Sequence, residues 1–144
     1  MTTKNKTIES AAARKGAKIR CLLVDDEVHF TEVLAKRLAR RRFVVKTALT
    51  GEKGIQALRK SDFDVAILDL KLTDMDGIET LKIFRKMAPE MPVVMLTGHG
   101  CEIAAEDGLR FGASSYLMKP CNLNELIDTV VSVVTTKGKT HGAH

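Results

Sequence analysis

Tryptophan is absent from the sequence, tyrosine occurs once, and aromatic residues make up only 4% of the 144 residues. Hydrophobic residues nevertheless account for 44%, so the core has to be built largely from aliphatic side chains. No apolar run approaches the roughly 18 residues that a membrane span requires, and the first 18 residues lack the apolar centre of a signal peptide. We therefore expect a cytoplasmic, single-domain protein that does not bind membranes.

Cysteine is scarce, and its spacing is not that of a metal site. Cys21, Cys101 and Cys121 form no C-x-x-C pair. An odd number of scattered cysteines is typical of reduced thiols in a reducing compartment. We predict that all three are small packing residues.

The body of the chain also lacks an excess of positive charge. The formal net charge is +5, but residues 1–18 hold five basic residues and one acidic residue, and residues 135–144 add two lysines. Residues 19–134 hold 16 basic and 17 acidic residues. Because a nucleic-acid interface requires a basic patch on a folded face, we predict no direct nucleic-acid binding. Residues 1–18 are interpreted as a flexible basic extension.

From residue 19 onward, short apolar runs alternate with helical periodicity. The apolar runs predict five strands, at 19–24, 43–48, 65–69, 93–97 and 114–118. A helix is predicted after each strand, with Thr50 and Asn122 as caps of the second and fifth. The fourth helix, 102–111, has few large apolar residues and an internal Gly108, so we expect it to be the least stable. This alternation predicts a parallel sheet covered by helices on both faces.

Polar side chains follow four of the predicted strands, where ligands bind in open α/β sheets. Acidic residues offer oxygen ligands for Mg²⁺, a carboxylate can accept a phosphoryl group, and a hydroxyl and an ammonium can bind phosphoryl oxygens. Each feature alone has a structural explanation, such as negative charge at a helix start, but the conjunction indicates phosphoryl transfer to a carboxylate. In chain order the residues are Asp25, Asp26 and Glu27, then Asp69, Thr97 and Lys119.

These residues stand in motifs that resemble the response-regulator receiver domain of two-component signalling, over roughly residues 19–136. The resemblance implies the doubly wound, flavodoxin-like strand order 2-1-3-4-5 and leaves residues 137–144 as a C-terminal tail. The motifs are Val24-Asp25-Asp26-Glu27, Leu68-Asp69-Leu70, Met75-Asp76-Gly77, Leu96-Thr97-Gly98, Phe111-Gly112-Ala113 and Lys119-Pro120.

The resemblance also implies a role for individual residues. Asp69 is the phosphoacceptor, and Thr97 and Lys119 contact the phosphoryl group. Mg²⁺ is bound by Asp26, Asp69 and the Lys71 carbonyl directly, and by Asp25 mainly through water. Tyr116, three residues before the lysine, takes the position of the aromatic switch residue. Gly77 and Pro120 are structural, and the Lys119-Pro120 peptide is expected to be cis, since proline lowers the cis cost to about 0.5–1 kcal/mol.

The loop positions around the site depart from the family pattern without removing an essential group. Thr73 stands where many members have proline, which predicts a looser loop after Asp69. Lys71 and His99 occupy positions that tune dephosphorylation in the family, and Gly98 leaves room for phosphoryl access. His99 also has a simpler interpretation as an exposed loop residue.

The expected partners are a sensor histidine kinase or a histidine phosphotransfer protein, and a downstream effector protein. We expect helix 4, strand 5 and helix 5 to form the output face, with a phosphorylation-dependent homodimer as a further form of output. Few residues follow the last helix, so a stand-alone receiver without enzymatic activity beyond its own phosphorylation and dephosphorylation is expected. A phosphorelay shuttle and a receiver from a longer regulator are the alternatives.

Two other classes fit the sequence less well. Phosphatases similar to the haloacid dehalogenases need Asp-x-Asp on the nucleophile strand, whereas this chain has Asp69-Leu70-Lys71. A flavodoxin-like electron carrier shares the topology, but the acidic loop after the first strand would repel a flavin phosphate.

Overall fold

The computed structural model describes residues 17–98 and 101–140, in which five strands alternate with five helices. The strands are β1 Ile19–Val24, β2 Phe43–Ala48, β3 Val65–Leu68, β4 Val93–Thr97 and β5 Ser115–Met118. The helices are α1 Val28–Ala39, α2 Gly51–Lys60, α3 Gly77–Met87, α4 Glu102–Arg110 and α5 Leu123–Thr140. None of the described helices is both long and apolar enough to span a membrane.

All neighbouring strands are parallel, in the order β2-β1-β3-β4-β5. The predicted fold class and strand order are therefore confirmed. β1 lies between β2 and β3, so the chain winds in opposite directions from the centre of the sheet. Loops diverge at such a point and leave a crevice at the carboxyl ends of the strands. The loops that follow β1 and β3 meet there.

Two aliphatic cores cover the two faces of the sheet. Alternate residues of β1 enter different cores, because successive side chains of a strand point to opposite faces. Cys21 and Leu23 pack with residues of α1 and α5, and Leu22 and Val24 pack with residues of α2, α3 and α4. Burial on both faces explains why the inner strands are continuous apolar runs instead of alternating patterns.

The predicted caps and thiols agree with the structure. The Thr50 hydroxyl accepts a hydrogen bond from the Lys53 N–H at 3.0 Å, and the Asn122 side chain accepts one from the Glu125 N–H at 2.7 Å. All three cysteines are free, and burial raises the pKa of the Cys21 thiol to about 12. An inert packing role for Cys21 follows.

Most element boundaries match the sequence prediction, and the differences lie at element ends. β3 ends one residue before Asp69, whose side chain accepts a hydrogen bond from the Lys71 N–H where the chain turns. α4 ends at Arg110, and Gly112 then takes a positive φ of 109°. α5 continues to Thr140, beyond the boundary expected at residue 136. Residues 1–16, which make up nearly all of the predicted extension, lie outside the described residues, as do 141–144.

The basic run that follows α1, Arg40 to Arg42, is exposed. Arg42 has a φ of 72°, and its carbonyl accepts a hydrogen bond from the Ile19 N–H, which joins the end of α1 to the start of β1. Arg41 also donates to the Asn124 side chain at 2.6 Å. One side chain of the run therefore links the end of α1 to the start of α5.

Candidate functional site

The structure gathers the predicted polar residues at one edge of the sheet. β1, β3, β4 and β5 are consecutive neighbours, so their carboxyl ends form a continuous row. The side chains that meet there are those of Asp25 and Asp26 after β1, Asp69 after β3 and Lys119 after β5. Thr97 ends β4 at the same edge, and its carbonyl accepts a hydrogen bond from the Lys119 N–H.

Three carboxylates form the acidic part of the site. Asp25, Asp26 and Asp69 each offer an oxygen within 4.8 Å of the others. Asp25 and Asp69 are 1% and 5% exposed, so water screens their mutual repulsion poorly. Mg²⁺ prefers oxygen ligands and usually binds one or two carboxylates while keeping several waters. The three side chains therefore fit such an ion.

Asp69 is held at the floor of the site. One oxygen accepts a hydrogen bond from the Lys71 N–H at 3.1 Å, and the other lies 3.5 Å from the Lys119 ammonium. Burial raises the pKa of Asp69 to about 6; the Asp25 charge adds to the rise, and the Lys71 N–H and Lys119 oppose it. A bound cation would favour the ionised form, which is the nucleophilic one.

Lys119 is the cation of the site. Its ammonium lies 2.7 Å from Asp25 and 3.0 Å from Glu27, and 4.5 Å from the centre of the Phe30 ring. Burial alone would lower the pKa of Lys119, but hydrogen bonds to Asp25 and Glu27 and the charges of Asp25 and Asp69 raise it overall. Lys119 therefore stays protonated. The peptide between Lys119 and Pro120 is cis, as the resemblance implied.

Thr97 presents an unused hydroxyl. The residue is fully buried, and its Oγ1 has no hydrogen-bond partner among the described residues. An unsatisfied buried polar group costs about 1–3 kcal/mol, and a phosphoryl oxygen bound beside Thr97 would satisfy this hydroxyl. A Cβ built on Gly98 would meet no described atom within 4 Å. Among the described residues, Gly98 thus leaves space next to Thr97.

Two contacts of Lys119 were not predicted from the sequence. Glu27 was included in the acidic triplet without a partner, and Phe30 was not singled out. The structure brings both to the Lys119 ammonium, 92 residues from Glu27 along the chain. The acidic triplet was the one available signal, but it does not reveal which acid faces the distant lysine.

Other predicted residues lie at the border of the site. Lys71 is exposed and contributes its backbone N–H to Asp69. Tyr116 is half-buried in β5 and packs against the core between the sheet and helices α2, α3 and α4. Gly77 can carry no side chain, because a Cβ would overlap the backbone of Leu70. His99 lies outside the described residues.

Comparison with protein families gives a match over most of the chain. The family model described as the response regulator receiver domain matches residues 21–131. The photosynthetic apparatus regulatory protein RegA of Cereibacter sphaeroides is 33% identical over 117 residues, which are 81% of this chain and 64% of RegA. The transcriptional regulatory protein CpxR homolog of Haemophilus influenzae is 40% identical over 113 residues, 78% of this chain and 49% of that protein.

Solved structures agree with the sequence relatives. The CheY-like receiver domain protein of Methanospirillum hungatei superposes with a TM-score of 0.81 at 29% identity, covering 85% of this chain and 98% of that one. NtrX of Brucella abortus superposes with a TM-score of 0.81 at 28% identity, covering 88% of this chain but 29% of NtrX. The chain thus spans less than two thirds of the length of the curated relatives described above.

Proposed function

Since the chain belongs to the response regulator receiver domain family, we propose that it accepts a phosphoryl group on Asp69 from the phosphohistidine of a sensor histidine kinase or a histidine phosphotransfer protein. The observation that carries this proposal is the setting of Asp69. Its carboxylate lies with two further aspartates and 3.5 Å from the Lys119 ammonium. The neighbouring strand, β4, ends at Thr97, whose buried hydroxyl has no partner among the described residues. Acceptor, cation ligands and phosphoryl-binding groups are thus at the same edge of the sheet.

The reaction needs few groups beyond these. A carboxylate oxygen of Asp69 attacks phosphorus, the phosphorus–nitrogen bond of the donor breaks, and its electron pair stays on the imidazole. Lys119 pairs with one phosphoryl oxygen, and Thr97 donates a hydrogen bond to another. Asp25, Asp26, Asp69 and the Lys71 carbonyl would hold Mg²⁺, which neutralises negative charge as phosphoryl groups transfer.

Intact mass after incubation with acetyl phosphate and Mg²⁺ tests the acceptor. We expect one added phosphoryl group on the wild type and none on Asp69→Asn. An adduct on both proteins would place the acceptor elsewhere. No adduct on the wild type, together with no binding of beryllofluoride, would sink the proposal that the chain signals through phosphate.

The output is proposed to leave through α4, β5 and α5. A phosphoryl group at Asp69 attracts the Thr97 hydroxyl, and Tyr116 then follows into the space that Thr97 leaves. α4 and its end expose apolar side chains, with Ile103 78%, Leu109 41% and Phe111 45% accessible. Such a surface suits binding of an effector protein or of a second phosphorylated copy.

Tyr116→Ala should therefore abolish phosphorylation-dependent partner binding, measured by pull-down with and without beryllofluoride. Unchanged binding would rule out the switch role.

The relatives favour one further possibility for the whole protein. Several are named transcriptional regulatory proteins, and this chain covers only part of their length. A receiver within a longer regulator would act on nucleic acid through another domain, whereas a phosphorelay shuttle would pass its phosphoryl group to a partner histidine. In each case we propose a cytoplasmic signalling domain whose own chemistry is limited to phosphorylation and dephosphorylation of Asp69. Transfer of the labelled phosphoryl group from the phosphorylated protein to an added histidine phosphotransfer domain would identify a shuttle.

A further inference from the structure

The loop between β3 and α3 carries part of the proposed metal site. It runs from Asp69 through the Lys71 carbonyl to Asp76, which caps α3. Lys71 and Asp76 form an isolated antiparallel bridge, and the Gly77 N–H donates to the Leu70 carbonyl at 3.2 Å.

A long-range contact fastens this loop to α2. One carboxylate oxygen of Asp74 accepts a hydrogen bond from the Gly51 N–H at 2.9 Å, and the other accepts one from the Glu52 N–H at 3.0 Å. The partners are 23 and 22 residues away in sequence. A carboxylate at a helix start also gains from the helix dipole. The pKa of Asp74 is lowered: its slight burial would raise it, but the hydrogen bonds from Glu52 and Gly51 outweigh that.

Close packing accompanies these hydrogen bonds. A Cβ built on Gly51 would lie 2.6 Å from Cγ of Met75 and 2.9 Å from Oγ1 of Thr80. The first residue of α2 therefore fits against the loop and the start of α3 because it has no side chain. The contact between loop and helix is an extended one and does not depend on Asp74 alone.

α2 does not need Asp74 in order to begin. Thr50 already caps the helix through the Lys53 N–H, and the exposed N–H of Glu52 could bond to water. The start of α2 is in turn close to the other acidic loop, since the carbonyl of Ala48 at the end of β2 accepts the Asp25 N–H at 3.1 Å. The segment from the end of β2 to the start of α2 is thus hydrogen-bonded both to the loop after β1 and to the loop after β3.

From this geometry we propose that Asp74 is a positioning residue of the metal site. It fixes the loop after Asp69, and with it the Lys71 carbonyl, relative to Asp25 and Asp26. This role rests on the proposed function, because the group that Asp74 positions is a proposed Mg²⁺ ligand.

The test compares Asp74→Ala and Asp74→Asn with Thr50→Ala. Thr50→Ala removes a cap whose hydrogen bond goes to the Lys53 N–H within the same helix, so it controls for loss of helix stability. Mg²⁺ affinity is measured from backbone amide chemical shifts during titration with MgCl₂, and thermal unfolding is recorded for every variant. Amide hydrogen exchange at Gly51 and Glu52 reports directly on the two hydrogen bonds.

We expect Asp74→Ala to weaken Mg²⁺ binding roughly tenfold. This is the lower end of the loss of metal affinity seen when a group that orients a metal ligand is removed. Asp74→Asn keeps one acceptor oxygen and should lose less. Thr50→Ala should melt earlier but bind Mg²⁺ like the wild type. Faster exchange at Gly51 should accompany the weaker binding.

Two outcomes overturn the inference, and they are distinguishable. If the wild type binds Mg²⁺ and both Asp74 variants bind it equally well, Asp74 only caps α2 and the proposed function stands. If the wild type itself binds no Mg²⁺, the metal site of the proposed function falls and the role of Asp74 falls with it. Should Asp74→Ala fail to fold, the comparison of Asp74→Asn with Thr50→Ala decides in the same way.

Discussion

At the scale of single residues, Lys119 connects the largest number of groups in the site. It joins the carboxylates of Asp25, Glu27 and Asp69, but these contacts are not equivalent. The side chain of Asp25 is 1% exposed and that of Glu27 is 59% exposed. The interaction with Asp25 is therefore poorly screened by water, whereas the interaction with Glu27 is well screened.

Replacing the lysine and replacing its exposed partner should have different effects. Lys119→Met removes a positive group from the phosphoryl-binding position and should slow phosphorylation by acetyl phosphate by about 10²–10³. Glu27→Gln should change the rate by about fivefold or less, because an exposed ion pair contributes about 0.2–1 kcal/mol. Intact mass against time gives both rates. Equal losses in the two variants would mean that Glu27 holds the lysine in place for the reaction.

The raised pKa of Asp69 predicts a pH dependence of stability. The ordinary pKa of 3.8 applies to the unfolded chain, and the folded protein has a pKa of about 6. Between these values the folded state binds more protons than the unfolded state, so stability falls as the pH rises through this window and is constant above it. Without Mg²⁺, Asp69→Asn should be more stable than the wild type at pH 7.5 by roughly 1–3 kcal/mol. Urea unfolding measures the difference.

The control for this prediction is the same comparison near pH 4, where the carboxyl group is protonated in the folded protein. The two proteins should then have nearly the same free energy of unfolding. Saturating Mg²⁺ should also reduce the gap at pH 7.5. A gap of the same size at both pH values would show that the asparagine acts through packing and not through charge.

At the scale of secondary-structure elements, α4 contains a glycine, Gly108, that the sequence analysis interpreted only as a cause of low helix stability. Gly108 lowers the helix propensity of α4, yet a Cβ at this position would overlap the side chain of Met95 in β4. Glycine therefore lets the helix approach the strand.

Gly108→Ala should accordingly destabilise the protein in spite of the better helix propensity of alanine. Overpacking a core costs about 1–3 kcal/mol. Gly108→Ala should cost less in a Met95→Ala background, since that truncation removes the overlapping atoms, and a double-mutant cycle by urea unfolding measures the coupling. A stabilising Gly108→Ala would mean that α4 is free to shift away from β4.

At the scale of the whole molecule, the site is built from the ends of four strands. A ligand that binds there requires the folded sheet, so its binding should stabilise the entire fold. A ligand at ten times its Kd that binds only the folded state adds about 1.4 kcal/mol to the free energy of unfolding. Mg²⁺ at that level should raise the Tm by several degrees in the wild type. Asp26→Asn, which removes one proposed ligand, should show a smaller rise. Differential scanning calorimetry at several MgCl₂ concentrations measures both, and equal shifts would exclude Asp26 as a ligand.

Much of the architecture could be predicted because its signals are local in sequence. The apolar run of β1 and the helical spacing in α5 each follow from one segment of the chain. The ends of the strands then placed Asp69 and Lys119 at one edge of the sheet without further information. Thr50 and Asn122 were recognisable as caps, because capping involves residues only three positions apart.

Contacts between distant segments depended on the tertiary structure. The sequence by itself determined the five alternating strands and helices, the family and the candidate acceptor. Only the folded chain decided that Glu27 and Phe30 meet Lys119, that the Thr97 hydroxyl is left without a partner among the described residues, and that Asp74 reaches the start of α2. The physical reason is that these contacts depend on how loops lie across neighbouring strands, which hydrophobic periodicity along a single segment does not encode.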